Sequence, residues 1–144
     1  MVVAVVFAGL AAVLHVYIWA LESLMFQTRG RKVFGLRADE AVQMRQWAFN
    51  QGFYNLFLAI ITLAGIGLIL CPADGSDFAG VALMLAGAGS MLGAAVVLVA
   101  DDRSKARSAA VQGTLPALAL LSLAATQIRA VAASESNARA GKVP

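Results

Sequence analysis

Trp47-Ala-Phe-Asn-Gln-Gly-Phe-Tyr-Asn55 opens a run that stays apolar as far as Leu70, yet its first turns hold three carboxamides and a phenol. At ~100° per residue, Asn50, Gln51, Tyr54 and Asn55 fall within one arc of a helix, and Leu58 and Thr62 continue it. Phe53, Leu56, Phe57 and Ile60 take the opposite face. Carboxamides facing hydrocarbon without partners are costly, so the polar stripe is expected to face protein or water at the centre of the molecule.

Working outward, three more runs resemble this one in length. Val2–Phe26, Trp47–Leu70, Phe78–Ala100 and Val111–Ala133 are each 23 to 25 residues long and nearly free of charge. About 20 helical residues cross a bilayer core. The whole chain of 144 residues is 60% hydrophobic and 13% charged, against ~25% charged in soluble domains. Together these features predict one all-α domain, an integral membrane four-helix bundle with four transmembrane helices and antiparallel neighbours. The spans are joined by a basic loop over 27–46 and followed by a flexible tail over 134–144. The first run lacks a basic leader and exceeds the ~7–15 apolar residues of a signal peptide, so it is read as a span.

Composition also narrows the chemistry. One cysteine, Cys71, permits no internal disulfide and no thiolate-rich metal site. With a single histidine and no His-Glu-x-x-His spacing, a conventional zinc site is not expected, and no Gly-rich phosphate loop calls for a nucleotide cofactor. The net charge of +3 comes from the loops and requires no nucleic-acid partner. Arg29, Arg31, Lys32, Arg37 and Arg45 follow span one, and Arg103, Lys105 and Arg107 follow span three. The connection Cys71–Asp77 has two aspartates and no basic residue, whereas the tail adds Arg139 and Lys142. The positive-inside rule then places both basic loops in the cytoplasm and both termini outside. Arg129, near the outer end of span four, suits a snorkelling side chain.

Span one carries the second polar set. His15, Trp19, Glu22 and Phe26 are spaced i, i+4, i+7 and i+11 and line one face, extended by the small Ala8 and Ala12. Glu22 is the only acid and His15 the only histidine in the four spans. Span two runs back from the same side, so Asn50 and Gln51 reach the depth of Glu22, and Asn55 points towards His15. Gln112, at the start of span four, completes the polar set, and Pro116 bends that helix and frees a carbonyl. Between spans one and two, Asp39 and Glu40 predict a helix beginning near Ala38. In span three, Gly89 and Gly93 suit tight packing within the chain or across a homodimer or larger membrane complex, and packing within the chain is the expectation.

Four blocks resemble one bacterial family, domain of unknown function 1304, whose members are short four-span membrane proteins. They are His15-Val-Tyr17-Ile with Glu22, Lys32-Val-Phe34-Gly-Leu36, Asn50-Gln51-Gly52-Phe-Tyr54-Asn55, and Val111-Gln112-Gly113 with Pro116-Ala117. The third span of the family carries Ala-Gly-x-x-Gly, for which Ala86-Gly87 with Ser90 stands here. The resemblance implies the fold, the polar positions and a multi-pass place in the bacterial cytoplasmic (inner) membrane. It implies no activity.

An ionisable residue inside a bilayer is a functional candidate because it is expensive to place there. One reading makes His15, Trp19, Glu22, Asn50, Gln51, Tyr54, Asn55 and Gln112 a site for a small polar or cationic ligand, as in a proton-coupled transporter. A second makes His15 and Glu22, ~10 Å apart along the axis, the acid and base of a membrane enzyme acting on a lipid-soluble substrate. A third makes the amides interhelical fastenings of a structural or accessory subunit, with Glu22 reaching the interface to meet Arg29 or Arg45. The clustering at one depth favours the first.

Overall fold

The computed structural model describes residues 1–71 and 76–140. Asp74 and Lys142, which entered the charge count, lie outside them. Helix α1 (Val2–Trp19) widens into two π-helical turns, Ala20–Leu24 and Phe26–Gly30, and the short α2 (Arg31–Val33) follows. Then come α3 (Ala38–Leu70), α4 (Ser76–Asp101), a 3-10 turn over Arg103–Lys105 and α5 (Ala106–Ala140). No strand occurs among the described residues. Four of these helices are long and apolar enough to cross a membrane. Each sequence-adjacent long pair packs together, and α5 closes back on α1, which gives the expected antiparallel bundle.

Small residues let the helices come close. Ala4, Ala8, Ala11 and Ala12 are fully buried along α1, on the face that ends at His15. Ala4 and Ala8 join Ile66, Met84, Ala119 and Leu123 in one core cluster; Ala11 and Ala12 join Ala59 and Met91 in another. Lipid is as apolar as these side chains, so dispersion across close backbones holds the bundle. Helices α3 and α4 approach closely. A Cβ on Gly65 would lie 2.6 Å from the Met84 nitrogen and 2.7 Å from the Gly80 oxygen. The expectation for Gly89 and Gly93 is corrected here: nothing lies within 4 Å of a Cβ at either, and Gly80 and Gly87 make the close contacts instead.

Three boundaries differ from the sequence reading. Span one is not a single α-helix to Phe26, because Met25 takes φ −119° and ψ 17° between the two widened turns. The basic connection is largely helical, and its one left-handed residue is Gly35 at φ +69°. It leads to the predicted helix start, where the Glu40 carboxylate accepts the Arg37 N–H at 2.8 Å and Arg37 pairs with Asp39. Helix α5 continues past Ala133, since no Gly or Pro interrupts it before Gly141. The buried Pro116 sits inside that helix and cannot donate to the carbonyl of Gln112.

Candidate functional site

The site is built where the widened end of α1 meets the first membrane turns of α3. In Ala20–Leu24 the backbone bonds in the π pattern, which places one residue more per turn than the α-helix it continues. After the break at Met25, the second wide turn folds back on the first. A Cβ on Gly30 would collide with the Leu21 carbonyl, so glycine is needed there. Glu22 and Ser23 are thereby presented to α3. Gly52 admits them: a Cβ there would strike the Ser23 hydroxyl and stand 3.1 Å from the Glu22 Cβ.

Three hydrogen bonds across this junction fix it, and a fourth within α3 steadies the Asn55 amide. The Asn55 amide Nδ2 donates to Glu22 Oε2 at 2.9 Å and to its own helix at the Gln51 carbonyl at 3.3 Å. Ser23 Oγ donates to the Phe49 carbonyl at 3.1 Å, and Gln27 Nε2 to the Ala41 carbonyl at 2.8 Å. A cavity of about 360 Å³ opens beside them, lined by Glu22, Ser23, Gln27, Arg45 and Phe49 among others. That volume is at the lower end of the ~300–1,000 Å³ range of small-molecule sites.

The structure brings together only part of the predicted set. The expected register is corrected: Glu22 meets Asn55, which is buried, rather than Asn50 or Gln51, which turn outward, and Asn55 does not reach towards His15. His15 is 1% exposed, and its Nδ1 lies 2.9 Å from the Ala11 carbonyl. A carbonyl only accepts, so Nδ1 carries the proton. His15 does not line the cavity. Trp19 sets its ring edge-on to Phe53 with centroids 6.1 Å apart, and its buried Nε1–H has no hydrogen-bond partner among the described residues. Asn50, Gln51 and Tyr54 are exposed, and Gln112 is half-buried on α5, away from the cavity. The face of α3 turned inward is Gly52, Asn55, Ala59, Thr62 and Ile66. The predicted polar arc overlaps that stripe only at its Asn55 and Thr62 edge, because the other three residues lie ~65–165° round the helix from its centre.

Sequence reading misses Ser23, Gln27 and Phe49, and Arg45 as part of a ligand site. Arg45 enters the sequence reading for orientation and as a structural partner of Glu22, and Gln27 only as the start of a loop. Ser23 becomes visible once the wide turn is known, and no residue type between Ala20 and Arg29 signals that turn. Among the described residues, no three His, Cys, Asp or Glu side chains gather as metal ligands.

A protein-family model described as "Protein of unknown function (DUF1304)" matches residues 9–124, which include every part of this site. No curated protein and no solved structure matches the chain. The match covers most of the sequence, and the chain belongs to this family.

Proposed function

We propose that this DUF1304 family member binds a small polar or cationic ligand at Glu22 and exchanges it for a proton across the bilayer. One observation carries the reading. The only carboxylate of the four spans is held by Asn55 at one oxygen and lines an open cavity. An interhelical hydrogen bond alone would not need a cavity, and a half-buried acid within a span is costly to keep without a use. The acid–base reading finds no comparable support, since the ring of His15 is bonded to Ala11 rather than set in the cavity. On this reading the protein lies in a bacterial inner membrane, and the ordering of charge supports basic connections in the cytoplasm and both termini outside.

Guanidinium is a suitable probe, being small, permanently charged and rich in N–H donors. Calorimetric titration of purified protein should show it bind, and Glu22→Gln should weaken that binding at least about tenfold. In proteoliposomes containing a pH dye, a guanidinium gradient should drive proton movement in wild type and none in Glu22→Gln. Equal guanidinium binding by the two proteins would reduce the Glu22–Asn55 contact to a helix fastening.

A further inference from the structure

We infer that the cavity receives the headgroup of an aminophospholipid, its primary ammonium on Glu22 and its phosphodiester on Arg45. This rests on the reading of Glu22 as a ligand site and names the ligand class. The cavity is lined by one acidic residue from the widened end of α1, Glu22, and one arginine from α3, Arg45. No ion pair joins them among the described residues. A simple cation would leave Arg45 without an anion, and an anionic headgroup would leave Glu22 without a cation. A zwitterion satisfies both.

Size and rim then select among zwitterions. About 360 Å³ accommodates a headgroup but not acyl chains. Leu24, Val42 and Phe49 also line the cavity and are 64%, 66% and 51% exposed, so its apolar walls run onto the outer surface of the bundle. Leu24 and Phe49 lie within the spans, so in a bilayer their part of that surface meets hydrocarbon, where acyl chains attached to the headgroup can lie. A free phosphoester would leave it uncovered. A primary ammonium brings three N–H donors to the Glu22 carboxylate, whose Oε2 already accepts one bond from Asn55. A choline headgroup brings none. Ser23 adds a hydroxyl beside the acid, its proton given to the Phe49 carbonyl and its lone pairs left to accept.

The test is lipid retention by purified full-length protein, read by native mass spectrometry after exchange into mixed micelles. Equal mixtures of phosphatidylethanolamine with phosphatidylglycerol, and with phosphatidylcholine, should give about tenfold enrichment of the ethanolamine lipid in both. Glu22→Gln should bring retention of the ethanolamine lipid down to that of the glycerol lipid. Arg45→Gln, at an exposed position, should weaken both phospholipids alike. Absence of ethanolamine enrichment in wild type, or enrichment that survives Glu22→Gln, overturns the inference. Soluble phosphoethanolamine that displaces the lipid at equal concentration would make the free phosphoester the ligand and overturn the lipid assignment. If guanidinium binding remains sensitive to Glu22→Gln while no lipid is preferred, only the lipid assignment falls; if both vanish, the ligand site itself is gone.

Discussion

At the level of single residues, Glu22 and Asn55 meet because glycine at 52 removes the side chain that would hold their helices apart. The acid was legible in the sequence as the one carboxyl of the spans, but its partner was not: matching depths set Asn50 and Gln51 against Glu22 and turned Asn55 towards His15, whereas Asn55 is the amide that meets Glu22. Asn50, Gln51 and Tyr54 face outward rather than inward, since an arc drawn through polar residues alone ignores the small residues that decide which face a neighbour can approach. A second single-residue feature, outside the spans, is open to direct measurement. Asp102 accepts both the hydroxyl and the N–H of Ser104 at 2.8 Å, and these bonds hold its carboxyl below the usual range, the hydroxyl contributing most. A depressed carboxyl stabilises the folded turn above its ordinary pKa, and that contribution is lost as pH falls through the lowered value. Ser104→Ala should move the Asp102 titration, followed by carboxyl carbon NMR, part of the way back up; an unmoved curve would refute this account.

Among whole elements, the four long helices were legible because a bilayer requires each to be long, apolar and internally bonded. The wide turns at the end of α1 were not. Ala20 to Arg29 contains neither glycine nor proline, and the π pattern arises from tertiary demands: Gly30 seated against Leu21, and Ser23 and Gln27 bonded to carbonyls of α3. The α3–α4 contact shows a similar limit, since glycine spacing alone pointed to Gly89 and Gly93, while the approach is made at Gly65, Gly80 and Gly87. Gly65→Ala places a methyl against backbone atoms that cannot yield, and a loss of about 1–3 kcal/mol is expected in detergent unfolding titrations. Gly89→Ala and Gly93→Ala, which meet open space, should stay within about 0.5 kcal/mol of wild type. The reverse ranking would mean that the open face of α4 is the packed one.

For the molecule as a whole, the antiparallel ring gathers the connections after α1 and after α4 at one end, and both are basic. Cys71 is exposed at the other end and is the one native thiol, so it reports orientation without engineering. On the proposed orientation, a membrane-impermeant maleimide should label Cys71 in intact spheroplasts, whereas a cysteine placed at Ser104 in a Cys71→Ser background should react only after lysis. The opposite pattern would invert the proposed sidedness. Helix α3 has 33 residues and is ~50 Å long, well beyond the ~30 Å of hydrocarbon it must cross. Its surplus turns rise at the end that holds the cavity, so bilayer thickness determines which chemical layer meets Arg45 and the Glu22 carboxylate. A thick membrane draws them down among acyl chains and a thin one lifts them into water, so hydrophobic mismatch tunes access to the site.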